Sequence, residues 1–185
     1  MTTSTNLPMK NALVANWSFA DPLSNVHGLS FSQISAAGEP VTYIVAGKSH
    51  FDVAIHGPED ERKTPGLPLQ LSKPAEAELE CVIACVQHEV LANASKFGMT
   101  ADQVQDRFKS PLSKNGTYPA NLRVKIAGTR YWADGALTGA PASHAGRTWQ
   151  AKIHLKSIWV AANAWGLTCI ALDLQETRVE VECPF

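Results

Sequence analysis

The chain has 185 residues, a formal charge of −1 and a hydrophobic content of 45%, the balance of a globular protein with one buried core and too little length for two full domains. No apolar run approaches the roughly 20 residues that a membrane-spanning helix needs, and the N-terminus has no charged segment leading into an apolar one, so neither a membrane anchor nor a secretory leader is expected. Four cysteines (Cys81, Cys85, Cys169, Cys183) are too sparse for a disulfide framework and suit a reducing cytoplasm.

Residues 1–16 read as a polar, flexible arm. From Trp17 to Ile55 short apolar pieces are broken by Gly, Pro, Ser and Asn. Two of them, "TYIVAG" and "HFDVAIHG", have the β-branched and aromatic content of strands. "GPEDERKTPGLPLQLSKP" is expected to be a loop, on its proline, glycine and charge content.

The period then changes. In "PAEAELECVIACVQHEVLANASKFG" Leu79, Val82, Ile83, Val86, Val90 and Leu91 recur at three- and four-residue spacings, while Glu76, Glu80, Gln87 and Asn93 take other faces. That is an amphipathic helix, with Pro74 in its first turn and Gly98 as a stop. "TADQVQDRF" follows with Thr100 as N-cap and Gln103 three residues on, a capping-box spacing that predicts a second, shorter helix. Together they form a helical insertion over about 74–109. Cys81, Cys85 and His88 share a face of the first helix, but zinc takes four ligands and no second pair is spaced to complete a site. Free cysteines are usually buried, so core packing is the expectation and no metal or cofactor is expected.

After Pro111 the period returns to two. "NLRVKIAG" sets Arg123 and Lys125 on one face and Leu122, Val124 and Ile126 on the other. "TWQAKIHLK" sets Gln150, Lys152, His154 and Lys156 against Trp149, Ala151, Ile153 and Leu155. "GALTGAPASHAG" reads as a long surface loop with His144 and Arg147 at its far end, and "LTCIALDLQ" and "TRVEVE" as two closing strands. Strands, then helices, then strands describe a mainly β domain with a helical insertion.

Charge is distributed unevenly along this second half. Between Lys114 and Lys156 seven basic residues stand against Asp134 alone, a local charge of +6; from Asp173 onward four acids face Arg178, giving −3. A strand with one apolar and one basic face buries the first and offers the second to an anion, for which a phosphate backbone is the commonest partner. Tyr118, Tyr131, Trp132, Trp149, Trp159 and Trp165 lie in or beside this basic region, and unpaired bases stack on such rings. Trp149 is on the apolar side of its strand and is assigned to the core; Trp159 and Trp165 flank the apolar turn "VAANA". No phosphate-binding loop, dinucleotide fingerprint or serine-nucleophile elbow is present, and His88-Glu89 lacks the remainder of a deaminase signature.

Three segments together carry a resemblance: "YPANLRVKI", "YWADG" and "GRTWQAKIHLKSIWVAANAWGLTCIALDLQETRVEV". Tyr118-Pro119 opens a basic strand containing Arg123 and Lys125; Ser157-Ile158-Trp159 leads through a short turn to Trp165-Gly166. Over about residues 75–182 this resembles the OB-fold single-stranded-DNA-binding proteins of large DNA viruses and phages, with Ser157 where that family usually has glycine. The resemblance implies an OB-type β-barrel and a non-enzymatic protein that coats single-stranded DNA in viral or phage replication or recombination. The nucleic-acid contacts expected from the basic faces and the aromatic rings are Arg123, Lys125, Arg130, Arg147, Lys152 and Lys156 for phosphates, with Tyr131, Trp132, Trp159 and Trp165 for bases. The resemblance also implies that the acidic, aromatic tip (Glu182 to Phe185) contacts replication proteins and competes for the basic groove; a homodimer is compatible with it. An RNA-binding OB protein, a virion assembly protein whose basic face meets another protein, and a small enzyme are the competing expectations.

Overall fold

The computed structural model describes residues 16–25, 28–53 and 65–177. The expected arm, "TRVEVE" beyond Thr177, Cys183 and the tip with Glu182 and Phe185 lie outside the described residues. Thirteen strands are found among them: β1 (Trp17–Phe19), β2 (Leu23–Ser24), β3 (Ser30–Ala36), β4 (Glu39–Pro40), β5 (Thr42–Lys48), β6 (Gly66–Leu71), β7 (Phe108–Lys109), β8 (Leu112–Ser113), β9 (Asn121–Lys125), β10 (Arg130–Ala133), β11 (Ala136–Thr138), β12 (Thr148–Val160) and β13 (Trp165–Glu176). Two α-helices, α1 (Lys73–Ala92) and α2 (Ala101–Asp106), and a 3₁₀ turn (Ala94–Phe97) separate β6 from β7. The fold is mainly β, and no described helix is long and apolar enough to cross a membrane.

The strands form one large sheet with a partial ring of pairings. The sheet runs β1-β3-β12-β5-β6-β9-β13-β10-β11, and β12 also pairs with β13, so the path bends back on itself. All the ring pairings are antiparallel except that between β9 and β13, at Ile170 and Lys125. Inside the curve lie Tyr43, Val45, Leu67, Leu69, Leu122, Val124, Trp149, Ile153 and Leu155, all nearly or fully buried. The period-two reading of "NLRVKIAG" and "TWQAKIHLK" holds residue by residue, with Arg123, Lys125, Gln150 and Lys156 exposed on the opposite face.

Pro74 in the first turn of α1 and the capping box of α2 are as the sequence predicts, and the structure adds a side-chain cap on α1. Ser72 caps α1 by accepting from the Ala75 N–H at 3.4 Å, with Pro74 in the first turn, where its missing N–H leaves nothing unsatisfied. Thr100 and Gln103 close the reciprocal capping box of α2, at 3.0 and 3.3 Å. The apolar stripe Leu79, Val82, Ile83, Val86 and Val90 joins the same core cluster as the sheet. Glu76, 5% exposed, fastens the insertion to the start of β9: it accepts from the Ala120 N–H at 3.1 Å and pairs with Lys114 at 3.0 Å, contacts that hold its carboxyl below the usual range. The cysteines do not follow the core expectation uniformly: Cys169 is buried, Cys85 half-buried and Cys81 exposed.

Three loop and strand expectations are corrected. "GLPLQL", read as loop, is strand β6, with Leu67, Leu69 and Leu71 in the core. Proline fits there because β5 pairs only with Gln70 and Leu71, so at Pro68 one edge of β6 has no ladder with any described residue to interrupt. The start of "GALTGAPASHAG" is strand β11, which turns back on β10 through Asp134-Gly135. Both residues have positive φ, 49° and 79°, as a two-residue hairpin turn that follows the strand twist requires. "HFDVAIHG" is not a strand as far as it is described: Ser49 to Val53 leave β5 as bends and coil.

Ser49 and Asp52 instead hold the far end of the 139–147 segment. Ser49 Oγ accepts from Trp149 Nε1 at 2.9 Å and donates to the His144 carbonyl. His144, 6% exposed, sets Nδ1 against Asp52 at 3.2 Å and Nε2 against the Tyr131 hydroxyl at 3.0 Å. The His144 backbone N–H, the Ser143 hydroxyl and the Val53 N–H keep the Asp52 carboxyl well below its ordinary range.

Leu122→Ala should lower unfolding stability by about 2–5 kcal/mol in a urea titration, whereas Arg123→Ala one position on should stay within about 0.5 kcal/mol of the parent. Because Asp52 is depressed in the folded state, its contribution is complete above the ordinary carboxyl range near pH 4 and is lost as pH falls below it. The melting-temperature gap between the parent and Asp52→Asn should therefore hold at pH 5 and narrow steadily as pH falls below about 4; a gap as wide at pH 2 as at pH 5 would remove the carboxylate from this role.

Candidate functional site

On the outer face of β6 and β9 a groove of about 780 Å³ runs between the β7–β8 segment and the C-terminal half of β12. Arg123 and Lys125 from β9 and Lys109 from β7 line it together with Phe31 and Trp159. A second hollow of about 480 Å³ shares Phe31, Lys125 and Thr168 with the first and adds Lys156 and Ser157. The two form one continuous trough with no acidic side chain among the described residues that line it. Lys109, Arg123, Lys125 and Lys156 are exposed and make no ion pair with any described residue.

Local geometry explains how this surface arises. Strict alternation from Leu155 would turn Trp159 toward the core. The β12–β13 register shifts between Leu155, opposite Cys169, and Ser157, opposite Thr168, leaving Lys156 as the extra residue of a bulge. One extra residue reverses the phase of everything after it. Ile158 then points inward and is fully buried, while Ser157 and Trp159 join Lys156 on the trough side. Trp159 lies flat across Gly166, its partner in the ladder: a Cβ at position 166 would come within 2.7 Å of the indole and 2.6 Å of the Lys109 carbonyl. Glycine is required here because the ring occupies the space of a side chain. Arg123 similarly lies over Gly66, where a Cβ would meet its Nε at 2.9 Å.

The ten residues singled out from sequence divide into four groups. Arg123, Lys125, Lys156 and Trp159 come together in the trough. Arg130, Trp132 and Lys152 meet instead around a separate hollow of about 230 Å³, with Ile44, Gln150, Asp173 and Gln175. There the Arg130 guanidinium grips Asp173 with two bonds, at 2.7 and 2.8 Å, and Trp132 Nε1 donates to the same carboxylate at 2.9 Å. Burial would raise the Asp173 pKa, but these donors more than offset it and hold it below its ordinary value. Arg147 is likewise engaged, with Glu176 and the Ser143 carbonyl.

Two aromatics are corrected outright. Trp165 is 0% exposed; its Nε1 donates to the Val104 carbonyl at 2.7 Å and its ring packs on Phe108, so it is a core residue and no base can stack on it. Tyr131, 8% exposed, packs against Trp149 and His144, and burial pushes its phenol pKa up. His144 itself is buried and unavailable to a phosphate. Two trough residues escaped the sequence reading. Phe31 alternates with Ser32 and Ile34 in β3, and that outward aromatic was a usable signal. Lys109 had none, since it follows a helix in a two-residue strand with no pattern to place it.

No protein-family model matches this sequence, and no curated protein does.

Gly166→Ala should displace either Trp159 or the β7 backbone, lowering stability by about 1–3 kcal/mol and shifting tryptophan emission to the red. A variant as stable as the parent with unchanged emission would show that the indole is not seated on this glycine.

Proposed function

We propose that this chain is a sequence-independent single-stranded-DNA-binding protein and that the ring of β5, β6, β9, β12 and β13 is an OB-type barrel. The observation that carries the reading is the trough: four cations with no ion-pair partner and no acid beside them among the described residues share one channel with two partly exposed aromatic rings. Phosphates neutralised by lysine and arginine supply affinity without reading sequence, and bases released from a duplex offer faces for Phe31 and Trp159 to stack on. The ring supports the fold half of the proposal. In chain order its first strand joins the second and fourth, the third joins the second and fifth, and the third and fifth run parallel. The trough lies on the outer face of the second and third of these strands, the surface that OB-folds use for oligonucleotides.

Coating of exposed single strands in viral or phage replication or recombination is the role such binding serves, with Glu182 and Phe185 as contacts for replication enzymes. Arg130 and Arg147 belong to the structure in this scheme, because each would have to leave a carboxylate to reach a phosphate.

Fluorescent poly-dT, poly-U and duplex DNA titrated at several salt concentrations test it. Four phosphate contacts at about 0.7 each on a single strand give a slope of log K against log salt near −3. Arg123→Ala and Lys125→Ala should each shallow that slope by about 0.7, Trp159→Ala should weaken binding by about 1–3 kcal/mol, and Arg130→Ala should leave the slope unchanged. A flat salt response, or duplex bound as tightly as poly-dT, would overturn the proposal; tighter binding to poly-U would reassign the trough to RNA.

A further inference from the structure

The helical insertion meets the trough at one place, residues 107–113, and its contacts there are directed rather than incidental. Arg107 ends α2 and faces the turn that joins β12 to β13. Its Nη1 donates to the Ala162 carbonyl at 2.8 Å, while its own carbonyl accepts from the Trp165 N–H at 3.0 Å. One residue thus holds the 161–164 turn from both sides. The next two residues, β7, pair with Trp165 and Gly166, so the Lys109 carbonyl lies against the same glycine that seats the Trp159 indole. Immediately beyond, the Lys109 side chain and Ser110 line the trough.

The Arg107 side chain bonds across to another part of the chain and not to its own helix. It makes no ion pair with any described residue, and its guanidinium is directed at a neutral carbonyl 55 residues away in the chain. The core does not require that bond, since Trp165 is already anchored by Val104 and Phe108. The bond acts on the turn, and the turn sets where Val160 and Trp159 end.

We propose that the return leg of the insertion is a working part of the binding site: Arg107 positions the Trp159 stacking face through the 161–164 turn, and Lys109 is a phosphate contact contributed from outside the ring. This rests on the reading of the trough as a single-strand site, and it assigns the two residues different duties that one titration separates. A positioning residue affects stacking and leaves the count of phosphate contacts alone. A phosphate contact does the reverse.

The experiment follows oligo-dT binding by tryptophan quenching across a salt series, scoring the part of the quench that Trp159→Phe abolishes. Arg107→Ala should lower affinity about three- to tenfold and reduce that quench, with the salt slope of the parent; Arg107→Lys, which keeps a long donor, should recover part of both. Lys109→Ala should keep the full quench and shallow the slope by about 0.7. Arg107→Ala binding with the affinity and quench of the parent overturns the positioning role, and so does a slope shallowed as much as by Lys109→Ala, which would make Arg107 a phosphate contact. An unchanged slope in Lys109→Ala overturns the second assignment. These outcomes presuppose a parent that quenches and responds to salt; a parent that does neither overturns the single-strand reading and this proposal with it.

Discussion

The long antiparallel ladder between Thr148–Val160 and Trp165–Glu176 is the constraint from which most of the remaining structure follows. Each of these strands has a second neighbour, and those neighbours bring in every other part of the sheet: β3 and β5 beside β12, and β7, β9 and β10 beside β13. The ladder is irregular at two points, where Lys156 on one strand and Leu172 on the other are left without an opposite residue. Bulges of this kind bend and twist a sheet, and here they let two long strands curve around one core instead of extending flat. They also divide β12 into two halves with opposite phase, which is why one strand presents Lys152 to one surface and Trp159 to another.

The cations sort by whether the fold has already used them. Arg130 grips Asp173 of β13 through two short bonds, and Arg147 is shared between Glu176 of β13 and the Ser143 carbonyl, so each guanidinium has little left for a ligand. Lys109, Arg123, Lys125 and Lys156 have no such partner among the described residues, and their charges add in one channel. Burial and then the charge of Lys156 push the His154 pKa down, which disfavours a positive charge at that position. A near-neutral protein can thereby carry a strongly positive trough. On α1, Glu76 and Glu80 hold Lys114.

The insertion has two attachments with different physics. At its start, the buried Glu76 carboxylate is compensated by the Ala120 N–H and Lys114, so the register of β9 relative to α1 is set by a group that tolerates little displacement. At its end, α2 and β7 meet β13 through backbone-directed bonds and the Phe108–Trp165 ring contact. Between them the apolar stripe of α1 covers the core. One consequence is the Tyr43 hydroxyl, which burial leaves without a hydrogen-bond partner among the described residues, its pKa pushed above the ordinary value by that burial and by the nearby Cys85.

How much of this was written in the chain depends on the range of the forces involved. Helix starts were legible because their signals are local: Pro74 in the first turn of α1, and the Thr100–Gln103 spacing that caps α2. The faces of β9 and of β12 up to Leu155 were legible because alternation is local and one face is buried. The mainly β class with a helical insertion followed from the same periodicities. Strand β6 was not legible, since proline is excluded from a strand only where a neighbour needs its N–H, and the neighbour of Pro68 is decided by the sheet. Nor was the division of the aromatics. Trp159 and Trp165 look equivalent around their turn, yet a bulge three residues away turns one outward, while the insertion covers the other. The sequence by itself determined which strand faces are basic; only the tertiary structure decided which of those charges remain unpaired, because their carboxylate partners are brought opposite them by strand pairing and not by proximity along the chain.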